Sequence, residues 1–361
     1  MKMSLKPSTI DELQQCVQQH PRVLARGAGT KSALSRVDAT TQIIDMSDIR
    51  GIKEYEPNEF TFTALAGTTL AEIDALLAAQ GQYLPFDPIL MQAGATLGGA
   101  VASGLNGSCR LRYGGIRDFL LGVCFVDGTG ALIKGGGRVV KNAAGFDLPK
   151  LMVGSLGRLG VLTELTLKVF PRPNARLTLR VTCSDLTDAV NKLYQSASST
   201  WELEALDIEP PATLLLRIAG DENALRARAQ RIQNRIERPA QVMTDAEEKD
   251  YWRSLAEMKW LGKNAILVKV PMTPKRIADF DASLLSYSVM RRYCVAGNLA
   301  WLAWPVDRPL DALHTLLLSM DLSGLVVFGP ANRIFLGKEI SQDLIRRVRK
   351  ALDPDQRFPE Y

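Results

Sequence analysis

Glycine gathers in three stretches of this 361-residue chain, each of them able to bring backbone close to an anion. The first, Arg26-Gly27-Ala28-Gly29-Thr30-Lys31-Ser32, follows an extended run at 22–26. A diphosphate must be neutralised at close range, and backbone N–H groups reach it only where no side chain intervenes, which glycine-rich turns permit. The second stretch, Ala95-Thr96-Leu97-Gly98-Gly99-Ala100-Val101-Ala102-Ser103-Gly104, joins small residues that allow close packing to hydroxyls that can donate to phosphate oxygens. The third is Gly154-Ser155-Leu156-Gly157-Arg158-Leu159-Gly160. Arg26, Lys31 and Lys141 are the candidate cations beside them. Taken singly, each stretch reads equally as a surface turn or as tight packing of helix on strand.

Two familiar nucleotide motifs can be tested on spacing. A P-loop needs glycine directly before its lysine, and Thr30 stands before Lys31. A dinucleotide fingerprint needs three glycines at G-x-G-x-x-G, and after Gly27 and Gly29 the third position is Ser32. Both readings fail on residues that carry the mechanism.

The elements that must position these stretches follow from pattern. Thr9 and Glu12 open a helix carrying Leu13, Cys16 and Val17, and the strand at 22–26 delivers the first glycine loop. A second strand spans 42–46, and 59–66 alternates with Phe60, Phe62 and Ala64 on one face. Thr69 and Glu72 have capping-box form before Leu70, Ile73, Leu76 and Leu77, and Gly81 stops that helix. A hairpin turns on Asp127-Gly128-Thr129-Gly130, and a strand at 161–170 closes the unit before Pro171-Arg172-Pro173. Beyond it, strands at 176–183, 203–209, 213–219, 266–270, 290–295, 299–304 and 325–328 alternate with helices at 186–197, 224–236, 247–258, 276–286 and 310–320. That order predicts an α+β layer rather than a doubly wound parallel sheet.

Composition narrows the classes. With 46% hydrophobic and 23% charged residues the chain can bury a real core, and its length suggests two domains. The net charge of +5 is spread out, and its clusters at 226–238 and 346–350 read as solvated helix faces, so nucleic acid is not an expected partner. Residues 1–19 lack a signal-peptide core and no window is long and apolar enough to span a bilayer, so the expectation is a cytoplasmic protein, at most peripheral to the inner membrane. Cys16, Cys109, Cys124, Cys183 and Cys294 form no C-x-x-C pair, so neither a metal site nor an iron–sulfur cluster is expected.

In their order these stretches resemble the FAD-binding domain of the p-cresol methylhydroxylase and vanillyl-alcohol oxidase superfamily, and within it the FAD-binding subunits of bacterial glycolate oxidases. The resemblance rests on 24–30, Leu84-Pro85-Phe86-Asp87-Pro88, 95–104, Arg112-Tyr113-Gly114 with Arg117-Asp118, Leu121-Gly122, Lys141-Asn142-Ala143-Ala144-Gly145-Phe146-Asp147-Leu148, 151–155 and 157–164. It implies an α+β chain with a two-part FAD-binding domain of p-cresol methylhydroxylase type at 1–173, an α+β cap at 174–330, and a C-terminal helix at 331–361 returning towards the FAD domain. It also implies that Gly27, Ala28, Gly29, Thr30 and Lys31 wrap the pyrophosphate. Thr96, Leu97, Gly98, Gly99, Ser103 and Gly104 would lie along diphosphate and flavin, with Gly160, Val161 and Leu162 at the adenosine end. Arg26, Pro88 and Gly157 complete the implied cofactor-binding set. Thr30 and Asn106 stand near the places where covalent members carry a histidine, so FAD is expected to be non-covalent.

Chemistry beyond binding is harder to place. His20 and His314 are the two histidines, and His314 sits among Leu310, Leu313, Leu317 and Met320 with the pattern of a structural helix residue. The catalytic residue is therefore unknown at this level. The resemblance implies an FAD-binding subunit of a glycolate or D-2-hydroxyacid oxidase complex, passing electrons to partners that include an iron–sulfur subunit and a second flavoprotein subunit. A self-sufficient D-lactate or glycolate dehydrogenase, and a non-redox scaffold subunit of the same fold, stay open beside it.

Overall fold

The computed structural model describes residues 4–137, 146–339 and 342–360. The run 141–145, with Lys141, lies outside the described residues. Packing divides the chain into two units: Met1–Asn106, Gly114–Arg172 and Ile340–Tyr361 in the first, Gly107–Tyr113 and Pro173–Glu339 in the second.

In the first unit, helix α1 (Ile10–Gln19) starts where the Thr9 side chain accepts from Glu12 N–H at 3.2 Å. Strands β1 (Val23–Arg26) and β2 (Gln42–Asp45) pair in parallel. A separate five-stranded sheet is built from β3 (Ile52–Glu56), β4 (Thr61–Leu65), β6 (Leu120–Val126), β7 (Leu132–Gly136) and β8 (Val161–Lys168), in the order β3-β4-β8-β6-β7. A small pair joins β5 (Gln82–Tyr83) to β9 (Phe170–Pro171). Helices α2 (Leu70–Ala78) and α3 (Leu97–Ser103) complete the framework, the first with the expected Thr69–Glu72 capping box. The chain then gives α4 (Arg110–Tyr113) to the second unit and returns with α5 (Ile116–Phe119) and α6 (Leu148–Met152). Asn106 ties the neck of that excursion, accepting from Ile116 N–H at 2.6 Å and donating to Gly104 O at 3.0 Å.

The hairpin forms as its turn dictates: Asp127 Oδ1 accepts from Thr129 N–H at 2.9 Å and Ala131 N–H at 3.0 Å, with Gly130 at φ +83°. Phe60 departs from the expected alternation. A short 3-10 turn at Pro57–Glu59 ends on Phe60 at φ 54°, so the strand begins at Thr61 and leaves Phe60 exposed while Phe62 and Ala64 are buried.

The second unit is one nine-stranded antiparallel sheet of β10 (Ala175–Thr182), β11 (Ala205–Glu209), β12 (Thr213–Gly220), β13 (Ala240–Val242), β14 (Ala265–Pro271), β15 (Met290–Cys294), β16 (Leu299–Pro305), β17 (Ser323–Phe328) and β18 (Phe335–Gly337). Its order is β13-β10-β12-β11-β15-β16-β14-β17-β18. Helices α7 (Leu186–Ala197), α8 (Glu222–Ile236), α9 (Asp245–Ala256), α10 (Ile277–Leu284) and α11 (Leu310–Ser319) pack on it. Side chains alternate between an apolar face, with Leu179, Leu216, Ile208 and Val268 fully buried, and a polar face. The α10 carboxylate of Asp281 meets the apolar face at Tyr293 Oη, 2.7 Å away. On the polar face α9 is held by Glu248 on Arg217 at 2.7 Å and Trp252 Nε1 on Thr178 at 2.8 Å.

The return to the first unit comes at 340 rather than 331, because Phe335–Gly337 still pairs with β17. Helix α12 (Gln342–Leu352) leads to Asp353, whose carboxylate accepts from Arg357 and Phe358 N–H at 2.8 and 2.9 Å. That turn plants Phe358 in the core with Leu13, Val17, Val23 and Val161, a burial that contributes about 2 kcal/mol.

In the second unit Asp207 is 1% exposed and accepts from Ser108 Oγ and from Val295 N–H at 3.0 Å. Burial pushes its carboxyl up to about 6, against those hydrogen bonds and that of Cys294, which pull it down. A value above the ordinary 3.8 means that its stabilisation is whole below that pH and is lost as pH rises through 6. Relative to Asp207→Asn, the wild-type chain is therefore expected to lose about 3 kcal/mol of unfolding free energy across that window. Urea unfolding on either side of it checks this; an equal slope in both chains contradicts it.

Candidate functional site

A cleft of about 740 Å³, open to solvent, lies in the first unit where β1 and β2 end together. Parallel pairing sends both strand ends to one side, and Met46 N–H donates to Arg26 O at 2.9 Å across the exit. The loop from Arg26 to Lys31 forms one wall, with Gly29 turning at φ +69°. The start of α3 forms the floor: Thr96 Oγ1 accepts from Gly99 N–H at 3.2 Å, and Gly98 N–H donates to Ala66 O at 2.8 Å.

The glycines are there because no side chain fits at their positions. A Cβ on Gly27 would strike Thr96 Oγ1, and one on Gly98 would sit 2.8 Å from Ala66 Cβ and 2.9 Å from its carbonyl oxygen. The third glycine stretch docks on the far end of α3, where Gly154 and Leu156 N–H groups donate to Val101 and Ala102 carbonyls at 3.0 and 2.8 Å. Leu156, Gly157, Gly160 and Leu162 then face the cleft.

Arg26, Gly27, Ala28, Gly29, Thr30, Lys31, Thr96, Gly98, Gly99, Ser103, Gly157, Gly160 and Leu162 are thus brought together. Pro88, Leu97, Gly104 and Val161 do not line the cleft. Leu97 and Val161 are fully buried, Val161 in the core around Phe358. Pro88 is buried in its own loop, and Gly104 ends α3 at φ +62° against Gly154. Met46, Leu34 and Ala66 line the cleft without having been expected there. Parallel pairing of 23–26 with 42–45 was the missing signal for Met46.

Lys31 sets the electrostatics. It is 7% exposed, and among the described residues its Nζ has one marginal contact, Thr30 Oγ1 at 3.5 Å, and no carboxylate partner. Burial holds its ammonium down to about 8. An uncompensated buried cation is unfavourable by about 3 kcal/mol at that shift, and an anion in the cleft offsets it. Backbone laid bare by glycine and a buried lysine are the donor set that a diphosphate requires, so the residues present fit a dinucleotide.

The histidines lie elsewhere. His20 Nδ1 donates to Cys16 O at 2.9 Å at the end of α1, and His314 Nδ1 accepts from Gly337 N–H at 3.0 Å.

Comparison with known proteins agrees with this geometry. Residues 2–136 match the FAD binding domain family. The glycolate oxidase subunit GlcE of Escherichia coli is 39% identical over 222 residues, covering 60% of this chain and 61% of that protein. A D-lactate dehydrogenase of Anaerostipes hadrus is 34% identical over 153 residues, covering 42% of this chain and 32% of that protein. The chain thus spans about three fifths of the first relative and one third of the second. An alkyldihydroxyacetonephosphate synthase superposes with a TM-score of 0.72 at 15% identity, covering 97% of this chain and 74% of that one, and shares the fold. The resemblance read from the glycine stretches is borne out, and FAD is the cofactor of the matched domain. Among the described residues no helix is long and apolar enough to cross a membrane.

Two variants test the cradle. Gly98→Ala must push helix from strand and is expected to weaken FAD binding at least about tenfold, read by flavin fluorescence titration. Lys31→Met removes a charge-assisted contact of about 1.5–3 kcal/mol. In the wild-type chain, affinity should also fall as pH rises through about 8, where free Lys31 loses its proton, and stay flat in Lys31→Met. Identical pH profiles for the two chains would remove Lys31 from the site.

Proposed function

We propose that this chain, which carries an FAD-binding domain, is the FAD-binding subunit of a glycolate or D-2-hydroxyacid oxidising complex. The cleft carries that reading through one observation: a glycine cradle closed by a buried lysine with no carboxylate partner among the described residues. FAD is held non-covalently, since no histidine, cysteine or tyrosine is among the described residues lining the cleft. Thr30 lies in that wall, and Asn106 is occupied with Ile116 and Gly104. The relative named as glycolate oxidase subunit GlcE supports an assembly of several chains.

When bound, FAD supplies the acceptor for the two electrons lost as a 2-hydroxy acid becomes a 2-oxo acid. The residues of this chain bind and orient it: Arg26 to Lys31 at the diphosphate, Thr96 to Gly99 along its length, Gly157 to Leu162 at the remaining wall. Electrons leave to an iron–sulfur subunit and a second flavoprotein subunit, and the chain works in the cytoplasm. Among the described residues no cysteine is in a disulfide, and Cys109, Cys183 and Cys294 are buried. The second unit, Gly107–Tyr113 with Pro173–Glu339, is the substrate-side unit.

The D-lactate dehydrogenase relative favours a second reading, in which the chain oxidises its acid unaided. Anaerobic addition of glycolate or D-lactate to the isolated FAD-loaded chain separates the two. The subunit reading predicts that the flavin stays oxidised alone and bleaches once co-purified partner chains are present. Rapid bleaching in the isolated chain overturns it in favour of the second.

A further inference from the structure

One residue of the third glycine stretch holds a backbone conformation that its neighbours reach with glycine. Gly154, Gly157 and Gly160 lie at φ +81°, +72° and +154°, and between them Leu156 lies at φ +53°. The left-handed region is unfavourable for a residue with a Cβ, and leucine has no short polar side chain to offset it. Arg158 N–H donates to Ser155 O at 2.9 Å, so Leu156 and Gly157 are the two central residues of a tight turn, both at positive φ. Such turns favour asparagine, aspartate or glycine at the first of these positions. The leucine therefore stands against the preference of its own backbone.

Other residues with side chains adopt positive φ in this chain, Phe60 and Glu237 among them, where a 3-10 turn or a helix ends. Leu156 differs in its place. Of these residues it is the one, among the described residues, that lines the cofactor cleft. Its N–H donates to Ala102 O at 2.8 Å, which ties the turn to α3, and it is 7% exposed.

The glycine N–H groups and Lys31 answer phosphate, and they leave the rest of a dinucleotide unanswered. Its ring systems need apolar contact on their faces. Apart from alanines, the apolar side chains lining the cleft among the described residues are Leu34, Met46, Leu156 and Leu162. Leu156 alone of the four is presented by a backbone at positive φ.

We propose that Leu156 is a cofactor-binding residue, its side chain held in the cleft to pack on a ring of bound FAD, and that the turn carries a left-handed leucine for that contact. This rests on the reading of the cleft as the FAD site. It is independent of which acid is oxidised and of any partner chain.

Flavin fluorescence titration of the full chain tests it with three variants. Leu156→Asn suits the turn and removes the apolar contact, so FAD affinity should fall at least about tenfold. Leu156→Met keeps an apolar side chain and should stay within about threefold of the wild-type chain. Leu159→Ala is the structural control, since Leu159 is 6% exposed in the same stretch and does not line the cleft. It should lower the thermal midpoint of the flavin-free chain more than Leu156→Asn does, and leave affinity within about threefold. Equal affinity in Leu156→Asn and the wild-type chain overturns the proposal. So does a loss of affinity in Leu159→Ala as large as that in Leu156→Asn.

Should Leu156→Asn not fold, the wild-type chain decides by NMR with labelled leucine methyl groups, the Leu156 signals being those that vanish in Leu156→Met. Ring current from bound FAD must displace them further than the signals of Leu159, and equal or absent displacement overturns the contact. A wild-type chain that binds no FAD contradicts the reading of the cleft itself, and the contact with it.

Discussion

The close approach of backbones around Thr96 governs the cofactor unit. The start of α3 is pressed against Ala66 on one side and against Gly27 on the other, with no room for a Cβ at Gly27 or Gly98. Thr96 serves both contacts, capping the helix through Gly99 N–H while its hydroxyl fills the space a residue-27 side chain would need. The first loop is therefore set by a helix far along the chain. The same helix fixes the third glycine stretch through Val101 and Ala102, so one short element aligns all three walls of the cleft.

Charge follows from that packing. Lys31 is drawn into the wall and loses water without gaining a carboxylate among the described residues, which leaves it poised for a diphosphate. In the second unit Arg176, Arg292 and Arg217 of the polar face are answered by Glu204, Glu209 and Glu248. Where a fold balances its buried charges elsewhere, an unbalanced one points to a ligand.

Much of this was legible in residue order. Caps at Thr9 and Thr69 and the Asp127 turn act through side chains within a few positions of the backbone they hold, and the structure has them as expected. Phe60 was misread because a 3-10 turn overrode its alternation. Helix α3 was not anticipated, since Gly98 and Gly99 are poor helix formers and the element is stabilised by its contacts. Leu97, Gly104 and Val161 belong to stretches that reach the cleft without lining it themselves, and the stretch 84–88 of Pro88 does not line it at all.

The central claim is that the cradle around Thr96 holds FAD. The visible absorption spectrum of the purified chain, incubated with FAD and then desalted, tests it most directly. Retained flavin bands, released as free FAD on denaturation, are the predicted result. A colourless chain after that treatment would contradict it.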